Sequence, residues 1–122
     1  FTLVQVSFLS GETKMKPENE IKLHELFAYY FTQEGNYQKA IDEYKKILAL
    51  DDKNEKIRYN LAVVFTKINY FEEAAGEFTK VVSLNGNLKA DALYNLSILY
   101  MKYLNNNQKA EEYLSEYNKI RP

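Results

Sequence analysis

A chain of 122 residues is long enough for one hydrophobic core and, by surface scaling, can bury about 65% of its unfolded surface without crosslinks. Hydrophobic residues at 46%, charged residues at 27% and a net charge of −1 describe a globular domain without the basic excess of a general nucleic-acid binder. Cysteine is absent and His24 is the one histidine, which excludes disulfides, cysteine nucleophiles and thiolate or multi-histidine metal clusters within this chain.

The longest unbroken apolar run without tyrosine, Leu61 to Phe65, falls far short of the roughly 20 residues that cross a bilayer, so no membrane span is expected in this stretch. No metal, organic cofactor or small-molecule substrate is expected either. The chain starts at Phe1 rather than Met and stops directly after an apolar periodic stretch, so it reads as a piece of a longer protein whose compartment stays open. Fourteen lysines against two arginines, with twelve asparagines, suit an AT-rich genome and say nothing about activity.

In chain order, residues 1–20 come first as an N-terminal flap or linker segment. Phe1, Leu3, Val4, Val6, Phe8 and Leu9 form an apolar stretch with many β-branched neighbours, closed by Ser10-Gly11, which decides for neither a helix nor an extended strand. It is expected to cover the exposed end of the domain that begins at residue 21, or else to occupy a groove. Pro17 with Glu18 and Glu20 suits a first helical turn.

From residue 21 the chain repeats every 34 residues. Phe27 falls on Leu61, Ala28 on Ala62, Phe31 on Phe65, Tyr37 on Phe71, Ala40 on Ala74, Tyr44 on Phe78, Ile47 on Val81 and Leu50 on Leu84. A third copy comes at an offset of 35 for its first half, with Tyr59 on Tyr94, Asn60 on Asn95 and Leu61 on Leu96. Its second half is offset by 36, with Ala74 on Ala110 and Phe78 on Leu114, which places an insertion in the Asn105–Asn107 loop. The copies are residues 21–54, 55–88 and 89–122.

Within each copy apolar residues recur at three and four, which predicts two amphipathic helices per copy and six in all. Gly35-Asn36, Asn69 and Asn105–Asn107 divide the pairs, and Asp51–Asn54 and Asn85–Asn87 separate the copies. Ala28, Ala62 and Ser97 on first helices, and Ala40, Ala74 and Ala110 on second helices, mark places where helices come close. One such pair cannot bury its apolar face alone, so the copies stack on one shared core.

The segments His24–Phe31 with Ala40 to Tyr44, Arg58–Phe65 with Ala74 to Phe78, and Leu93–Tyr100 with Ala110 to Leu114 resemble the tetratricopeptide repeat, and Pro122 stands where that repeat ends in proline. The resemblance covers about residues 20–122. It implies an all-α, right-handed α-solenoid of about three helix-turn-helix hairpins. It also implies a non-catalytic interaction module that holds an extended or helical segment of another protein in its concave groove, not nucleic acid.

If the family geometry holds, the residues facing that groove lie between the packing positions of the first helices. They are Lys22, Glu25, Tyr29, Thr32 and Gln33 in the first copy, and Lys56, Tyr59, Asn60, Val63, Thr66 and Lys67 in the second. The third supplies Asp91, Tyr94, Asn95, Ile98, Met101 and Lys102. Of these, Tyr29, Gln33, Lys56, Tyr59, Asn60, Val63, Lys67, Tyr94, Asn95 and Ile98 are the expected partner-binding set. Tyrosine offers contact area at low entropic cost, and asparagine both donates to and accepts from a bound backbone, though it can equally bond a neighbouring helix.

One branch of the family clamps chaperone C-terminal carboxylates with two lysines, two asparagines and an arginine. Here the matching places hold Glu25, Tyr29, Asn60, Asp91 and Asn95, of which only Asn60 agrees, so no chaperone-tail binding is expected. His24 takes a place usually given to a packed aromatic and is expected to be structural. The run Asp51–Glu55 has lysine inside it and no central glycine, so it reads as a turn rather than a calcium loop. The alternative to a binding groove is a structural or self-assembly role through the ends of the stack, or service as a regulatory domain of a larger protein.

Overall fold

The computed structural model describes residues 14–121 and shows six α-helices: α1 (Pro17–Gln33), α2 (Tyr37–Leu50), α3 (Glu55–Lys67), α4 (Phe71–Leu84), α5 (Lys89–Lys102) and α6 (Asn107–Ile120). The expected apolar flap and the terminal Pro122 lie outside the described residues. Each helix packs on its successor in the chain, as hairpins α1/α2, α3/α4 and α5/α6 and as the junctions α2/α3 and α4/α5. The described residues thus form an all-α helical-repeat solenoid.

Local chemistry sets the helix ends. Pro17 opens α1, where its missing N–H costs nothing, and Glu18 and Glu20 in the first turn meet the positive end of the helix dipole. Asn36, Asn54 and Asn106 cap α2, α3 and α6 by accepting the backbone N–H three residues on. The turn inside each hairpin contains one left-handed residue at equivalent places, Gly35 (φ 76°), Asn69 (φ 67°) and Asn105 (φ 51°). Glycine and asparagine are the residues that adopt this conformation most cheaply, which explains part of the high asparagine count.

The core runs the length of the stack. Ala28, Ala40, Ala62, Ala74 and Ala110 are buried at the close approaches, and Ser97 replaces alanine in the third copy, its hydroxyl donating to the Tyr94 carbonyl at 2.7 Å. Between them Ile47, Ile57, Leu61, Phe78, Val81, Leu93 and Leu96 lose nearly all exposure, each burial contributing about 1.5–3 kcal/mol.

Two copies carry the same buried polar device. The Glu43 carboxylate meets His24 Nδ1 at 2.6 Å and Lys46 at 3.0 Å, tying α2 to α1. One repeat later Glu77 meets Arg58 at 2.9 Å and Lys80 at 3.5 Å, tying α4 to α3, and Arg58 adds bonds to the Asp52 carboxylate and carbonyl. In the third copy the two places hold Leu93, fully buried, and Tyr113. His24 is therefore part of a repeated polar series that packs the hairpins. Among the described residues no group of three or more His, Cys, Asp or Glu could hold a metal, and no helix is long and apolar enough to cross a membrane.

Candidate functional site

The first helices α3 and α5 lie side by side over α4, and a cleft of about 260 Å³ opens between them. Its walls are Val63, Thr66 and Lys67 from α3 and Asn95, Ile98 and Leu99 from α5, with Phe78 of α4 and Tyr103 beyond α5 completing it. The spacing follows from helical periodicity: Val63, Thr66 and Lys67 stand three and four apart on one face, as do Asn95, Ile98 and Leu99. The surface is mostly apolar, with the Lys67 ammonium and the Asn95 amide at its rim. It is more enclosed than the larger depressions at the loop around Gly35 and between Glu72 and Asn106.

Beside the cleft, the Asn95 amide nitrogen donates to the Tyr59 hydroxyl at 2.8 Å, and the Tyr59 ring meets Phe78 edge to face at 5.3 Å. Burial pushes the Tyr59 phenol above its usual value near 10; the Asn95 bond pulls it down, and the Asp91 charge adds to the rise. Tyr44, deeper in the core, is also raised by burial, with the neighbouring Thr32 side chain opposing. One hydrogen of the Asn95 amide is spent on Tyr59, which fixes the side chain and leaves its carbonyl oxygen able to accept from a bound backbone.

Four members of the expected set come together here: Val63, Lys67, Asn95 and Ile98 line the cleft. Tyr59 borders it and positions Asn95, and its neighbour Asn60 is half-buried on the same helix. Lys56 reaches back to Glu25 at 2.6 Å, linking α3 to α1 outside the cleft. Tyr29 and Gln33 stand exposed on α1 and do not line the cleft. The Tyr94 ring lies against Tyr117 of α6 at 5.3 Å, toward the end of the stack.

Sequence reasoning missed Phe78, Leu99 and Tyr103. Phe78 and Leu99 read as packing residues and are nearly buried, and nothing in the repeat pattern signals that they floor a cleft between two helices. Tyr103 follows α5 and is placed by stacking on Phe71, with ring centres 4.0 Å apart, a contact across 32 residues that no local motif announces.

Comparison with known proteins agrees with the helical-repeat fold. A family model described as TPR repeat matches residues 28–69, and one described as Tetratricopeptide repeat matches residues 90–122. The N-terminal domain of stress-induced protein-1 from C. elegans superposes with a TM-score of 0.78 at 18% identity, over 85% of this chain and 86% of that one. The second TPR domain of human RPAP3, solved with the HSP70 peptide SGPTIEEVD, gives 0.76 at 23% identity, over 88% of each chain. MamA AMB-1 gives 0.71 at 18% identity, and this chain spans 54% of its length. With both repeat models falling on the repeated helices, and together covering more than half of its residues, the chain belongs to the tetratricopeptide repeat family.

Proposed function

We propose that the α3–α5 groove binds a segment of a partner protein, extended or helical, which seats an apolar side chain in the cleft and bonds its backbone to Asn95. Tetratricopeptide repeats are protein-interaction modules, and two of the similar structures hold chaperone peptides. The observation that carries the reading is the cleft itself: Val63 and Ile98 present apolar surface over a floor closed by the nearly buried Phe78 and Leu99, in a concavity that Lys67 and Asn95 also line. At about 260 Å³ it is smaller than the roughly 300–1,000 Å³ of small-molecule pockets, which suits one or two side chains of a longer ligand. The work is complementarity rather than chemistry, and turnover by this chain is not expected.

Affinity capture from native extract tests it, comparing the wild type with a Val63→Glu, Ile98→Glu double variant of unchanged helicity. A protein held by the first and lost by the second supports the groove. Equal capture by both removes it and brings forward a second reading, joining of stacks through the exposed Tyr94, Leu114 and Ile120 at the C-terminal end.

A further inference from the structure

The three first helices carry the same two inward-facing stripes, and one of the six stripes is open. The stripe toward each helix's own hairpin partner is made by His24, Ala28 and Phe31 in α1 and by Arg58, Ala62 and Phe65 in α3, and it is closed in every copy. The other stripe faces the preceding hairpin. In α3 it is Ile57, Leu61 and Val64, and in α5 Ala92, Leu96 and Leu99, all 2% exposed or less. In α1 the equivalent residues are Leu23, Phe27 and Tyr30, joined by Leu26, and here Phe27 is 40%, Tyr30 57% and Leu26 61% exposed. The residue types are of the same apolar kind. The difference is that α2 precedes α3 and α4 precedes α5, whereas no described helix precedes α1.

We propose that residues 1–10 of the same molecule dock on this stripe, filling on α1 the place that α2 takes on α3. The chemistry matches: the segment carries Phe1, Leu3, Val4, Val6, Phe8 and Leu9 and no charged residue, and the stripe is likewise uncharged. The reach suffices as well. From Pro17 to Tyr30 the helix rises about 20 Å, and ten residues extend to about 33 Å, so a segment folded back at Gly11 covers the stripe. Attachment through a short linker gives the segment an effective concentration on the order of millimolar, an advantage over a second copy at ordinary protein concentrations. The docked segment ends the stack at α1 and leaves the α3–α5 cleft open. The inference is independent of what that cleft binds.

The 122-residue chain has no tryptophan, so Phe8→Trp and, separately, Val4→Trp provide clean reporters. Docking predicts blue-shifted emission and acrylamide quenching several-fold weaker than in a free peptide of residues 1–12. It also predicts that Leu26→Asp with Tyr30→Asp, two exposed sites where helicity can be checked, restores peptide-like quenching, while Lys45→Asp on the outer surface of α2 does not. Peptide-like quenching of both reporters in the otherwise unaltered chain overturns the proposal. So does shielding indifferent to the stripe variant, or shielding lost on dilution, which would mean that a second copy covers the stripe.

Discussion

The Asn95 amide and the Tyr59 hydroxyl, 2.8 Å apart, tie α5 to α3 along the groove that their helices form. Both side chains are half-buried, so each alone is poorly placed to recover its bond from water. Tyr59→Phe and Asn95→Ala should each destabilise the fold by about 0.5–1.5 kcal/mol, and the double variant by clearly less than their sum. Urea denaturation of the four proteins measures this coupling; strict additivity would show that the bond contributes nothing. If Asn95 presents its carbonyl to a partner, Tyr59→Phe also weakens binding with the cleft surface unchanged.

The repeated ion pairs supply a second prediction. Arg58→Ala leaves Glu77, whose side chain is 14% exposed, without its principal counter-charge and should cost on the order of 3 kcal/mol. Exchanging both partners for the residues of the third copy, Arg58→Leu with Glu77→Tyr, should be neutral or stabilising, because two desolvated charges give way to apolar contact. Thermal unfolding of the single and double variants decides it. A double variant as unstable as Arg58→Ala would show that the pair does more than pack the hairpin.

Alkaline pH gives a third. Burial raises the Tyr59 and Tyr44 phenols above 10 in the folded chain, so folding favours their protonated forms. Their contribution is complete below about pH 10 and is lost as pH rises through the raised folded values. Urea midpoints measured from pH 8 to 11.5 should therefore fall on the alkaline side, and Tyr59→Phe should make the fall shallower. An unchanged slope in that variant would contradict the assignment.

Fold likeness is not expected to extend to the ligands of the similar domains. At the places where the family clamps chaperone tails this chain has Glu25, already paired with Lys56 at 2.6 Å, and Asp91, while Asn95 is engaged with Tyr59. Acidic peptides such as SRMEEVD should show no micromolar binding by titration calorimetry, since carboxylates on the groove oppose a carboxylate-rich ligand. Micromolar binding would contradict this.

The fold was legible because its signals are periodic. The 34-residue offset set the copies, the small residues marked the close approaches, and Gly35, Asn69 and Asn105 marked turns that need a left-handed residue. The site was legible only in part. Spacing identifies the groove-facing side of α3 and α5, hence Val63, Lys67, Asn95 and Ile98, but does not say which of these converge on one cleft. Tyr94 shares its repeat position with Tyr59, yet α6 is the last helix described after it, so its ring settles on Tyr117 instead of bonding a following helix. Phe78 and Tyr103 reach the cleft through tertiary packing, which a local pattern does not encode.

The most direct test of the groove is site-specific photo-crosslinking in native extract. A photoreactive phenylalanine placed at Ile98 or Val63 should yield the same crosslinked partner, with none from Lys45 or Lys80 on the outer helices and none at Ile98 once Val63→Glu is introduced. Crosslinks from Lys45 and Lys80 equal to those from the cleft, or a cleft that stays silent while the outer helices label a partner, would contradict the account.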